Sequence, residues 1–153
     1  MFRTPQTLFR VLAISEAISW TLLLSALVLR ATVGVAVGVT IAGAIHGFVF
    51  LSYGATAVLL ALHQRWTIWP TVAAIGSAIV PYATIPTEIW LARSGRLAGA
   101  WRLEEVADPV DRRWYDGLLR WFLRRPWVLG LLILLAVAAL FTVLLLIGPP
   151  GGR

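Results

Sequence analysis

WVLGLLILLAVAALFTVLLLI, residues 127–147, carries no charge and a single hydroxyl side chain, Thr142. As a helix this run rises about 32 Å, close to the thickness of the hydrocarbon layer of a bilayer. A stretch this long and apolar reads as a membrane span, and it sets the class of the whole chain. Toward the N-terminus three more runs of similar length follow: Trp69–Ala92, about Thr40–Leu62, and Leu8–Leu29. Hydrophobic residues make up 59% of the 153 and charged residues 13%, against about 45–50% and about 25% in a soluble domain. What lies between the runs is too short and scattered to build a core of its own, which excludes a separate globular enzyme or nucleic-acid module. The expected fold is all-α: a polytopic membrane helix bundle with four transmembrane helices and a short amphipathic interfacial helix.

The boundaries follow from breakers and charges. Residues 1–97 form a three-span membrane domain, 98–126 a basic amphipathic connector, 127–148 the fourth span and 149–153 a Pro- and Gly-rich disordered tail. Arg10 and Glu16 interrupt what would be the apolar core of a secretory signal, so the first span is expected to be retained. Ala31–Leu62 is too long for one ordinary span and too short for two with a turn. It is read as one helix, preceded by a connector or helical extension at 31–39. His63–Trp66 is a polar turn, and Pro70 suits the start of the third helix. Pro81 and Pro86 are expected to kink that third span. In the connector, Asp108 and Pro109 mark a helix start, and Trp114, Leu118, Trp121 and Phe122 recur at helical spacing opposite Arg112, Asp116 and Arg120, the pattern of a helix lying on the membrane.

The formal net charge is +6, and all 13 basic residues are arginine. In a membrane protein this balance is first a topology signal. With four spans, the first and third connectors hold Arg30, Arg93, Arg96, Arg102, Arg112, Arg113, Arg120, Arg124 and Arg125, while the termini and second connector hold Arg3, Arg10, Arg65 and Arg153. The expectation is a multi-pass protein of the bacterial plasma membrane with residues 93–126 cytoplasmic and both termini outside. Anionic lipid is the partner expected at Arg112, Arg113, Arg120, Arg124 and Arg125; nucleic acid is not.

Several residues of the first three runs occur together as a set: Phe9-Arg10 with Glu16, then His46-Gly47-Phe48-Val49-Phe50 with Tyr53, then Arg65-Trp66, then Pro81 with Glu88. Over about residues 8–96 the chain resembles the YdzA-like proteins, small bacterial integral-membrane proteins that carry a domain of unknown function. The resemblance implies a three-span architecture and brings no activity with it.

An ionisable group inside a membrane is a functional hypothesis by default. Glu16, His46 and Glu88 qualify. Taking the first three spans as straight crossings, Glu16 lies about 4 Å from the midplane on the N-terminal side, and His46 and Glu88 about 8 and 11 Å toward the other side. His46 and Glu88 are then level on adjacent helices, with Tyr53 and Thr84 placed to join them. The functional reading is a proton-relay or small-ligand site; the structural one is an interhelical hydrogen bond that fixes packing. Glu16 forms a second polar group. Arg10 is about 120° round the helix from it and expected at lipid phosphate, which leaves Arg65 as its candidate partner. Gly34, Gly38, Gly43 and Gly47 give small-xxx-small spacing for close helix approach, within the chain or in a homo-oligomer or larger complex. Most tryptophans fall near the expected interfaces; Trp20 sits mid-span and is expected to pack in the bundle.

There is no cysteine, which excludes disulfides and thiolate chemistry. His46 and His63 are about 25 Å apart on one helix, which rules out bis-histidine haem, and a zinc or di-iron site lacks ligands. No cofactor or metal is expected, and no phosphate loop or nucleophile elbow occurs. The leading expectation is a non-enzymatic accessory or scaffold subunit. The alternative is a small oligomeric proton- or solute-conducting carrier on His46 and Glu88, and the third an intramembrane lipid-modifying enzyme.

Overall fold

The computed structural model describes residues 4–101, 117–118, 121–122 and 124–147. These are helical with turns, and no strand occurs among them. They belong to two units, 1–106 and 107–153, which are taken separately.

In the first unit, helix α1 runs from Pro5 to Val33. Thr4 caps it by accepting the Thr7 N–H on its side-chain oxygen at 3.2 Å, and Pro5 occupies a first-turn position where a missing N–H costs nothing. Gly34 ends it in the left-handed conformation (φ 78°), its N–H bonded to the Arg30 carbonyl, a geometry that suits a residue without Cβ. Helix α2, Val37–His63, starts three residues later. The 31–39 stretch is therefore mostly helix, with only residues 34–36 as connector. Antiparallel pairing of α1 with α2 shows in the contacts: Phe9 against Tyr53, Ser19 with His46, and Ala26 beside Gly38, where an added Cβ would meet the alanine methyl at 3.9 Å. These two helices are long and apolar enough to cross a membrane.

At the end of α2, Arg65 adopts the left-handed conformation (φ 53°). Arg65 N–H and Trp66 N–H turn back to the carbonyls of Leu62 and Ala61, a Schellman ending that reverses the chain. The expected third span does not form as one kinked helix. It is two ten-residue helices, α3 (Ile68–Ser77) and α4 (Thr84–Arg93), joined by a turn at 78–83. Pro81 has no N–H to continue the ladder and disfavours helix at the residue before it. Tyr82 then takes φ 66°, and Pro86 fits the first turn of α4.

The turn reverses direction. Gln64 and Trp66, before α3, donate side-chain N–H groups to the carbonyls of Ala98 and Arg96, beyond α4, at 3.1 and 2.8 Å. The two ends of the segment thus meet. Its tip touches the middle of α1 through Trp20 on the Ala78 carbonyl (3.2 Å) and Thr21 on Tyr82 (3.3 Å). From there α4 descends α1 toward its start: Thr84 donates to the Ala13 carbonyl at 3.0 Å, and Glu88 pairs with Arg10 at 3.0 Å. Each arm rises about 15 Å, half the hydrocarbon thickness.

The core is built where all four helices overlap, around Phe9, Ala13, Tyr53, Leu60, Ala74 and Leu91. Leu97 closes it from the segment after α4, where Gly95 and Gly99 supply positive φ. Beyond the tip, among the described residues of this unit, only α1 and α2 continue, exposing Leu27, Val28, Val33, Val37 and Ile41. In the second unit, α5 spans Pro126–Ile147, exposes Leu132, Leu135 and Leu146, and satisfies its one hydroxyl by Thr142 bonding the Ala138 carbonyl. Arg125 lies over the Trp121 ring. The start of the expected interfacial helix, with Arg112, Arg113 and Arg120, and the 149–153 tail lie outside the described residues.

Candidate functional site

Phe9, Ala13, Glu16, Ser19 and Ala26 recur at helical spacing and form the buried stripe of α1. A carboxyl and a hydroxyl therefore stand in the row that meets α2. Glu16 and Ser19 are 0% and 1% exposed. The Ser19 hydroxyl oxygen is 2.9 Å from the Glu16 carbonyl and 3.1 Å from Glu16 Oε2, and 2.9 Å from His46 Nδ1 on α2. His46 Nδ1 is itself 3.8 Å from Glu16 Oε2. The other carboxyl oxygen, Oε1, is buried without a hydrogen-bond partner among the described residues. Aromatic rings enclose the imidazole, Trp20 at 4.4 Å and Phe50 at 6.1 Å between centroids. Because Trp20 also holds the Ala78 carbonyl, one side chain ties the hairpin tip to the polar group.

This grouping differs from the one expected. His46 and Glu88 are not partners. Their equal depth presumed that residues 69–92 cross the membrane, but the chain turns back at 78–83, so Glu88 returns to the level of Arg10 near the start of α1. Its carboxylate accepts from Arg10 Nε, the glutamate side chain 6% exposed and the arginine 54%. Arg10 was expected at lipid phosphate; it pairs with Glu88 from a half-exposed position. Thr84 bonds α1 backbone, not His46. Ser77 donates to the Ala74 carbonyl at 2.7 Å, so the Tyr53 hydroxyl, 3.0 Å from it, donates to Ser77. Arg65 ends α2, and the polar neighbours of Glu16 are Ser19 and His46. Gly38 packs on Ala26, whereas the space around Gly43 is open to 4 Å; Gly34 is a helix cap, and Gly47 follows His46 on α2.

Ser19 was missed by sequence reasoning. Its signal was present as Glu16-xx-Ser19, one turn apart inside an apolar run, which sets a hydroxyl beside a carboxyl. Trp20 was legible as a bundle residue, but its hold on the hairpin depends on a reversal that hydropathy does not encode.

Residues 6–93 match the family described as "Domain of unknown function (DUF3817)". Over 103 residues, 66% of the chain, it is 36% identical to a Streptomyces coelicolor protein named "Putative membrane protein SCO5905". That stretch is only 12% of the relative's length. No solved structure matches the chain.

Proposed function

The chain belongs to the DUF3817 family, and on that premise we propose that it is a non-enzymatic accessory subunit of the bacterial plasma membrane, YdzA-like in kind, that packs against other membrane protein. The observation that carries this is the hairpin tip. Ile79 and Val80 are 67% and 56% exposed, and the N–H groups of Val80 and Tyr82 donate to no backbone carbonyl among the described residues. Irregular backbone at this depth is tolerated where protein covers it or water reaches it, and not against lipid. The open Gly43 position gives a second place for close helix approach. The length of the Streptomyces relative fits the same reading, since there the matched stretch is a small part of a long chain.

The hairpin also bears on orientation. Among the described residues it sets Arg10, Arg65, Arg93 and Arg96 on one side and Arg30 on the other. The positive-inside tendency then makes the first of these sides cytoplasmic, with the N-terminus inside and α5 as a third crossing. This replaces the four-span count that put both termini outside. Anionic lipid is the partner proposed for Arg112, Arg113, Arg120, Arg124 and Arg125, and within the first unit Arg10 and Arg93 line an open groove between α1 and α4. A carrier using His46 together with Glu88 has no shared site to run through. An intramembrane acid and base acting on lipid ranks behind the packing role.

With no native cysteine, single sites can be probed directly. Val80→Cys and Gly43→Cys, each bearing a short photoreactive maleimide in native membranes, are expected to yield a discrete adduct with a second polypeptide, another copy or a different protein. Adducts with lipid or with the same chain alone at both positions would contradict the reading.

A further inference from the structure

Ser19 stands between two groups that can each carry a proton, and its hydroxyl has one hydrogen to give. The Glu16 carbonyl, 2.9 Å away, competes for that hydrogen; when the hydroxyl turns from it, two arrangements link the end groups at the observed distances. In one, Ser19 donates to Glu16, and His46 donates its Nδ1–H to the Ser19 oxygen. In the other, the Glu16 acid donates from Oε2 to Ser19, and Ser19 donates to the lone pair of Nδ1. Starting from a carboxylate and an imidazolium, the two interconvert with no change in proton number. The Nδ1–H bond breaks as its proton passes to the Ser19 oxygen, the serine proton passes to Oε2, and charge on both end groups disappears. The bare Oε1 fits this exchange. As the carbonyl oxygen of a carboxylic acid it can stand without a donor far more cheaply than as half of a carboxylate.

We infer that Glu16, Ser19 and His46 form one exchangeable proton site inside the membrane domain, with Ser19 as the relay between carboxyl and imidazole. The ligand is the proton itself. The site stands apart from the accessory role, which concerns the tip and the glycine face. Other titratable groups turned toward this part of the bundle are committed elsewhere: Tyr53 of α2 to Ser77, Tyr82 of the turn to Thr21, and Glu88 of α4 to Arg10 on α1. Trp20 and Phe50 supply an apolar wall around the imidazole.

The test uses the purified 153-residue chain and dicyclohexylcarbodiimide, an apolar reagent that adds to protonated carboxyls, with the site of addition read by mass spectrometry. Infrared spectroscopy follows the carboxylic-acid carbonyl band of the same samples. Glu16 is expected to be labelled at acid pH and progressively less as pH rises, its band missing in Glu16→Gln. Ser19→Ala and His46→Gln should each move the midpoint of that loss by about one pH unit, tenfold in proton activity. Thermal melting confirms that the variants are folded. The inference is overturned if Glu16 shows neither label nor acid band at any pH. It is equally overturned if both appear but neither variant moves the midpoint, which would leave a solitary carboxyl with no relay.

Discussion

Phe9→Ala is expected to lower the stability of the membrane domain by about 3–5 kcal/mol, the range for emptying a phenylalanine site in a closed core. Phe9 is 0% exposed. Its ring meets Tyr53 at 5.1 Å and Trp66 at 6.2 Å, the latter edge-on. One side chain therefore joins α1 to α2 and to the turn that launches the hairpin. Lipid does not reach the hole left behind, because α2, α3 and α4 close over it, so the contacts are lost outright. Phe48, 42% exposed on α2, is the control: Phe48→Ala should stay within about 0.5 kcal/mol. Thermal unfolding in detergent, followed by tryptophan fluorescence, separates the two. Equal effects would mean that the core does not lie where the four helices overlap.

The second large effect comes from the ion pair. Arg10→Ala leaves the Glu88 carboxylate, 6% exposed, without its cation. Removing one partner of a fully buried pair costs about 3–5 kcal/mol; because the arginine is 54% exposed and water screens that end, about 2 kcal/mol is expected here. Adding Glu88→Gln to Arg10→Ala should recover most of the loss, since the glutamine carries no charge that needs neutralising. Glu88→Gln alone should cost less than Arg10→Ala alone. Stabilities that simply add, with no recovery in the double variant, would show that the pair does not form.

The membrane class and the first two helices were legible because hydropathy and length speak for them directly: nothing but a long helix accommodates 5–33 or 37–63. Boundaries were less so. Val33 and Val37 both fit a connector by composition, and only the positive φ of Gly34 shows how tightly the chain turns. The hairpin was hidden for a physical reason. A run of 24 apolar residues has the same hydropathy whether it crosses the bilayer or enters and returns, and the distinction rests on what Pro81 and Tyr82 do to the backbone. In hindsight the prolines mark it: Pro70 and Pro86 each fall in the first turn of a new helix, and Pro81 in the break between them. The pairing of titratable residues inherited that ambiguity. Glu16, His46, Glu88 and Arg10 were all recognisable as unusual, but the partner of each depends on depth, and depth depends on direction.

That direction is open to a single decisive measurement. In a chain without native cysteine, Val35→Cys, Gln64→Cys and Gly99→Cys are labelled with a membrane-impermeant maleimide, in sealed cells and in inverted vesicles. The hairpin predicts that Gln64→Cys and Gly99→Cys react from one face and Val35→Cys from the other, with the shared face being the cytoplasmic one. Labelling of Gln64→Cys and Gly99→Cys from opposite faces would mean that residues 68–93 cross the membrane, and would contradict the account at its centre.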